Sequence, residues 1–488
     1  MTITTTNERL STGIVGLDKI THGGLPPHGS YLVRGGPGAG KTTLGLHFLA
    51  AGLRAGQRCL YITLEESEAR IRAQAAKRNI DLTGVTILDI SPSSSFFSEV
   101  ESYDIFTPAE VEREPITRQI VEKIEAIMPD RVFLDPMTQF RYLSSDTFQF
   151  RRQMVSFLRF LVEHEATVLF TSERGESLSD DDLQFMSDGV IDIANGGHGR
   201  SVQIKKLRGS DFQAGPHTLK LVADGMVVYP RLMPNVQQVN FRFDLISSGI
   251  PAMDALLAGG IERGTVTVLS GASGASGVGK TTLGLQFMKE AASRGERSII
   301  YSFEEEMELT LKRCDSIELP ARAMIAAGNL QITKVEPLQY TADEFDTLVR
   351  RDVEERGTRV VMIDSVAGYD LCLRGEDLRS RMHGLAKYLQ NLGVAVFIIN
   401  ELETIVGDFR ATETGLSYLA DNLIFLRFLE INGEMRKAVG VLKKRLSDYE
   451  RTLREFSITS RGIVIGEPLT GLRGILKGIP EFINVPKP

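Results

Sequence analysis

Two short stretches of this chain carry the residue types needed to hold a chain of phosphates. Gly35-Gly36-Pro37-Gly38-Ala39-Gly40-Lys41-Thr42 fits the pattern GxxxxGK[ST]. So does the stretch Gly274-Ala275-Ser276-Gly277-Val278-Gly279-Lys280-Thr281. Glycines let a backbone curl so that successive N–H groups face phosphate oxygens, at a helix N-terminus that already favours negative charge. Lys41 and Lys280 would reach the β- and γ-phosphates of ATP, while Thr42 and Thr281 would hold Mg2+. Thr43 and Thr282 carry each motif into its helix.

Acidic residues with matching chemistry lie downstream. Asp135 and Asp364 each close an apolar run, where a metal-side carboxylate would sit. Glu65-Glu66 and Glu304-Glu305 follow the strand next after each phosphate loop, placed to orient or deprotonate an attacking oxygen. Adjacent carboxylates repel, which would raise one pKa and make that group the better base. Lys206 and Arg208, like Lys443 and Arg445, are spaced i, i+2, so a strand would turn both cations to one face. Two roles are open to them: fingers delivered to a neighbouring subunit's triphosphate, or a basic edge that blocks aggregation.

These residues come in pairs because the chain repeats itself. Gly40-Lys-Thr-Thr-Leu-Gly-Leu46 recurs letter for letter as Gly279–Leu285. Thr12-Gly-Ile with Asp18 parallels Ser248-Gly-Ile with Asp254, and Asp135 parallels Asp364. Landmarks in one order predict a duplicated domain of about 240 residues. The boundary is expected in the Pro-containing stretch Tyr229–Asn235, giving domains 1–235 and 236–488. Within each copy, apolar strand-length runs such as Ser30–Val33, Cys59–Leu64 and Arg131–Asp135 alternate with helical spacing such as Leu44, Phe48 and Leu49. That alternation predicts an α/β fold, a mostly parallel central sheet flanked by helices. Alternating runs at Val202–Lys206, Leu219–Val222, Val439–Lys443 and Glu455–Ile458 predict added antiparallel strands.

Composition narrows the partners. The 488 residues are 42% hydrophobic and 24% charged, ordinary for a globular chain. A net charge of −7 divides into −4 before residue 236 and −3 after it, so no basic half or tail points to nucleic acid or an anionic membrane. Three scattered cysteines form no CxxC and suit a reducing compartment. The first residues lack a basic and apolar leader, and the apolar runs are too short to span a membrane. A cytoplasmic protein is expected.

With these landmarks in place, the chain resembles double-domain KaiC-type proteins, relatives of the cyanobacterial clock ATPase within the RecA-like P-loop group. The resemblance covers nearly the whole chain. It rests on the opening TGI…GLD…GGLP pattern, both phosphate loops, both EE pairs, both K-x-R pairs and Arg454-Glu-Phe-Ser-Ile458. It implies two tandem RecA-like domains stacked as rings in a homohexamer, with ATP between subunits. It also implies slow hydrolysis in the N-terminal ring, and autokinase and autophosphatase activity in the C-terminal ring. Lys206, Arg208, Lys443 and Arg445 match the family's interface positions, which favours the trans-acting role. Kai-type or histidine-kinase regulators are the partners implied.

The stretch Ala411–Asp421 is similar to the one in which clock proteins carry a Ser-Thr acceptor pair. Here the pair is Ser417-Tyr418, with Thr412 and Thr414 nearby. A phenol reaches further than a threonine, so Ser417 is the first-choice phosphoacceptor. Leu446 stands where a glycine is expected, while the first copy keeps Gly209. A doubled Gly-Ala-Ser makes the second phosphate loop three residues longer. A KaiC-like signalling or clock-related ATPase-kinase is implied; rhythmic timekeeping is not. Two other readings stand beside it: a RecA/RadA-type DNA-dependent ATPase, which the even acidity weakens, and a nucleotide-gated scaffold, which the intact lysines and EE pairs weaken.

Overall fold

A computed structural model describes residues 9–91, 113–139, 147–173, 180–197, 199–234, 241–272, 277–402, 415–475 and 480–482. Gly274, Ala275 and Ser276 of the second phosphate loop, and the acceptor candidates Thr412 and Thr414, lie outside the described residues. The chain divides into two compact units, one ending at Arg231 and the other starting at Leu232.

The first unit has strands β1 Ser30–Gly35, β2 Cys59–Thr63, β3 Thr86–Asp89, β4 Arg131–Asp135, β5 Thr167–Glu173, β6 Gly189–Gly196, β7 Gly199–Leu207, β8 His217–Val222 and β9 Gly225–Tyr229. They form one sheet in the order β3-β2-β4-β5-β1-β6-β7-β8-β9. From β3 to β6 every pairing is parallel, and from β6 to β9 every pairing is antiparallel. The parallel strands are apolar on both faces because helices cover both. Val33, Tyr61, Phe133 and Leu169 enter one core, and Leu32, Leu60, Leu134 and Val168 enter the other.

The second unit adds the short pair β10 Leu245–Ile246 and β11 Ile261–Glu262. Its main strands are β12 Val266–Ala272, β13 Ser298–Ser302, β14 Leu330–Lys334, β15 Val360–Asp364, β16 Ala395–Leu402, β17 Asn422–Ile431, β18 Glu434–Lys444, β19 Arg454–Thr459 and β20 Gly462–Pro468. A last pair is β21 Leu472–Arg473 with β22 Glu481–Phe482. The main sheet runs β14-β13-β15-β16-β12-β17-β18-β19-β20, the same order strand for strand as the first. The added antiparallel strands read from the alternation are β7, β8, β18 and β19.

The repeated letters have distinct physical reasons. Gly40 and Gly279 adopt φ of +112° and +111°, and a Cβ there would meet Leu221 and Met226 or Phe456 and Ile458, so each loop lies on the antiparallel strands. Gly45 and Gly284, inside the helices Lys41–Arg54 and Lys280–Ser293, let those helices press onto Phe133 of β4 and Met362 of β15. The opening landmark is structural too. Asp18 accepts from the backbone N and hydroxyl of Thr12 at 2.8 and 2.6 Å, and Asp254 accepts from Ser248 in the same way at 2.7 Å.

Candidate functional site

The phosphate loop leaves the end of β1 at Gly35, and the helix that follows presents Lys41 and Thr42. The Lys41 ammonium donates to the carbonyls of Gly35 and Gly36 at 2.8 and 3.1 Å. Lys280 donates to those of Gly271 and Ala272 at 3.1 and 3.2 Å. Both lysines are buried. Burial lowers the pKa of Lys41, and the charges of Glu173, Asp135 and Glu65 oppose that shift.

Thr42 Oγ1 donates to Asp135 Oδ2 at 2.6 Å, and Thr281 Oγ1 to Asp364 Oδ2 at 2.7 Å. Thus a hydroxyl from a helix start and a carboxylate from a distant strand converge in each copy. These are hard oxygen donors of the kind Mg2+ takes alongside phosphate and water, so the residues fit the ion. Asp135 also accepts from Tyr61 and Thr171. Burial pushes the Asp364 carboxyl up to about 6; Thr281, Arg313 and Lys280 oppose the rise and Glu304 adds to it. In the first unit the loop, Asp135, Glu65 and Glu66 line one cavity of about 280 Å3 that extends to Arg78 and Leu221.

The two members of each acidic pair point to different tasks. Thr63 Oγ1 donates to the carbonyl of Glu66 at 2.7 Å, and Ser302 Oγ to that of Glu305 at 2.6 Å, so the turn is pinned the same way twice. The second glutamate is then tied to the next helix. Glu66 accepts from Gln74 at 2.8 Å and pairs with Arg70 at 3.4 Å, while Glu305 accepts from Thr310 at 2.8 Å and pairs with Arg313 at 2.8 Å. The first glutamate remains toward the phosphate end. Glu65 interacts with Lys41 and Asp135, and Glu304 accepts from Ser365 beside Asp364. The Glu65 carboxyl is raised first by burial, then by Glu173 and Asp135; Glu66 adds less than any of these. Mutual repulsion within the pair is therefore the lesser cause of the shift.

A third carboxylate in each copy escaped the sequence reading. Glu173 ends β5 opposite Gly35 in register, and Glu401 sits on β16 opposite Gly271. Glu401 pairs with Lys280 at 3.5 Å, and Glu173 lines the first cavity. The only signal was an acidic residue near the end of the same strand in both copies.

The K-x-R pairs lie at the other end of the sheet. Ser30, the first residue of β1, donates its N–H and hydroxyl to Asp188 at 2.9 and 3.1 Å, and Arg208 faces the same carboxylate at 3.7 Å. Lys206 caps the helix Asp181–Met186, donating to the carbonyls of Gln184 and Ser187 at 2.9 and 2.6 Å. In the second copy, Asp421 accepts from the N–H of Val266 at 2.9 Å and pairs with Arg445 at 3.1 Å. Lys443 donates to the carbonyl of Ser417, and Arg445 to that of Tyr418, both at 2.9 Å. A six-residue strand is about 17 Å long from end to end. Each pair is thus remote from the phosphate loop of its own copy.

The candidates Ser417 and Tyr418 belong to this far cluster. Both are exposed, in a short turn of helix over Leu416–Tyr418, and the Tyr418 hydroxyl donates to the carbonyl of Arg379 at 3.2 Å. The carbonyl partners of the two lysines align Ser417 with Gln184, and hence Tyr418 with Phe185. The first copy therefore carries no hydroxyl at either position.

A family model described as "ATPase: KaiC" matches residues 10–233 and again 246–470. Among curated proteins, the circadian clock oscillator protein KaiC of Parasynechococcus marenigrum is 28% identical over 496 residues, covering 98% of this chain and 94% of that protein. The protein of the same name from a strain of Prochlorococcus marinus is 28% identical over 492 residues, with 98% and 96% covered. The circadian clock protein KaiC3 of Synechocystis is 26% identical, with 97% and 95% covered. No helix among the described residues is long and apolar enough to cross a membrane.

Proposed function

Because this chain belongs to the KaiC family of ATPases, we propose that it is a ring-forming ATPase and autokinase. Both copies bind Mg·ATP, the first copy hydrolyses it slowly, and the second transfers its γ-phosphoryl group to Ser417 of a neighbouring subunit. The assembly is a homohexamer, as in the resemblance, and regulators of Kai or histidine-kinase type act on it. The observation that carries the reading is the placement of Ser417, Lys443 and Arg445 together, a strand's length from the phosphate loop of their own copy. Groups so placed do not reach the triphosphate of their own copy, and the ring implied by the resemblance would bring them to a neighbour's.

The chain's residues divide the work. Backbone N–H groups of each loop, with Lys41 or Lys280, hold the phosphates. Thr42 with Asp135, and Thr281 with Asp364, would hold Mg2+, which neutralises charge on the phosphates when bound. At the first site Glu65 takes the proton of the attacking water. At the second, Glu304 takes the Ser417 hydroxyl proton as Oγ bonds to the γ-phosphorus and the bond to the β,γ-bridging oxygen breaks, leaving ADP. Arg208 or Arg445 from the neighbour offsets the charge that develops.

Mixed rings test this. Lys280→Ala protein, which keeps its acceptor, is mixed with Ser417→Ala protein, which keeps its phosphate loop, and Mg·ATP is added. Phosphate is expected on the Leu416–Arg427 region of the Lys280→Ala subunits. If neither the mixture nor the unsubstituted protein gains phosphate mass, the kinase assignment fails and an ATPase remains.

A further inference from the structure

The third carboxylate of each copy has a task that neither phosphate holding nor proton transfer uses. Glu401 sits 3.5 Å from the Lys280 ammonium, and that lysine side chain is only 7% exposed. Lys280 therefore has three acceptors in its own copy: two loop carbonyls and one carboxylate. In the first copy Glu173 occupies the matching register position and is the foremost of the charges acting on Lys41. The neighbouring residues on these strands differ, Thr171-Ser172 in one copy and Ile399-Asn400 in the other. The carboxylate persists while its surroundings change.

A lysine that grips phosphate must turn from such a carboxylate toward the phosphate oxygens. The carboxylate is then left beside a like charge, and the repulsion is less screened at the partly buried Glu401 than at the exposed Glu173. Departure of the nucleotide lets the lysine turn back toward the carboxylate, as an ion pair at Glu401 and through a longer-range attraction at Glu173. The same residue thus opposes binding and favours release.

We propose that Glu173 and Glu401 are nucleotide-release residues, carboxylates that compete with phosphate for the loop lysine of their own copy and so hold nucleotide affinity down. This rests on the reading of both copies as ATP sites. They are positioning residues acting through Lys41 and Lys280, separate from Glu65 and Glu304.

The test uses the full chain loaded with Mg2+ and the fluorescent nucleotide N-methylanthraniloyl-ADP, chased with unlabelled ADP. Two release phases are expected, one for each copy. Glu401→Gln should slow one phase by about tenfold and Glu173→Gln the other, since each removes one like charge beside the phosphates. Glu401→Asp, which keeps the charge, should release faster than Glu401→Gln. A structural defect would speed release, so slowing is a readout that mere loosening cannot produce. Unchanged or faster release in both glutamine variants, with labelling normal, overturns the proposal. Failure of the unsubstituted protein to bind the probe would instead overturn the ATP-site reading on which it rests.

Discussion

The two copies share their binding machinery and differ in what they present at the opposite end of the sheet. Each has a lysine folded onto loop carbonyls, a threonine on an aspartate, and a first glutamate toward the phosphate end. The second glutamate is held by a guanidinium in both copies, joined by an amide in the first and a hydroxyl in the second. At the far end, Gln184 and Phe185 face Ser417 and Tyr418 across the duplication, and Gly209 faces Leu446. Duplication preserved the part of the domain that receives a triphosphate. The copies nevertheless differ at both ends, through a second phosphate loop three residues longer and through hydroxyls at Ser417 and Tyr418 that the first copy lacks.

The lysines should break the symmetry most. Lys41→Ala and Lys280→Ala each remove a buried cation from beside the phosphates, and affinity at that copy should fall on the order of a hundredfold. Only Lys280→Ala should abolish phosphate on Ser417, whereas Lys41→Ala should impair hydrolysis and nucleotide-dependent assembly. Phosphopeptide mass with sizing in ATP and ADP checks both. Equal loss of Ser417 phosphate in the two variants would show that the copies act as one unit.

The arginines come next. Arg208→Ala should slow hydrolysis at the first site, and Arg445→Ala should slow transfer at the second, each by on the order of a thousandfold if it serves as a finger in trans. Steady-state ATPase and single-turnover phosphorylation separate the two. Rates within a few-fold of the unsubstituted protein, in intact rings, would return both residues to edge protection.

Within the acidic pairs the expected effect is smaller and unequal. Glu65→Gln should cost on the order of a hundredfold in first-site hydrolysis, the range of a lost general base, and Glu66→Gln less than tenfold. The same order should hold for Glu304→Gln and Glu305→Gln in phosphate transfer. A larger loss from Glu66→Gln would reverse the roles assigned from the Thr63 turn.

The repeat itself was legible because phosphate loops tolerate few substitutions: Gly40 needs a left-handed φ, Lys41 supplies the ammonium, and Thr42 supplies a hydroxyl that only serine could replace. The parallel sheet was legible from apolar runs closing on Asp135 and Asp364. The split within each EE pair was not, since it depends on a side-chain-to-carbonyl bond from Thr63 or Ser302 that spacing does not encode. Glu173 and Glu401 were hidden for another reason. They become neighbours of the loop only through the long-range pairing of β5 with β1 and of β16 with β12, and the residues around them differ. The remoteness of the K-x-R pairs likewise needed Ser30 and Val266 to be seen on Asp188 and Asp421.

The smallest expected difference probes packing rather than chemistry. A Cβ on Gly45 would come within 2.1 Å of the Phe133 ring, and one on Gly284 within 2.5 Å of the Met362 sulfur. An aromatic ring held between helix and sheet has no rotamer that opens such a gap, whereas a methionine has three rotatable bonds and a soft end. Gly45→Ala should therefore destabilise the first unit by about 3 kcal/mol, toward the upper end of overpacking, and Gly284→Ala the second by about 1 kcal/mol. Part of each cost is offset because alanine favours a helix interior over glycine by roughly 1 kcal/mol. Thermal unfolding followed by calorimetry, with the two units resolved as separate transitions, reads the contrast directly. Phe133→Leu placed on Gly45→Ala should recover most of the loss, since it frees the volume the new methyl requires. If Gly284→Ala proves the more damaging, the close helix contact in the second copy is governed by Leu269 on β12, 3.6 Å from the same position, and the two copies pack their shared helix by different neighbours.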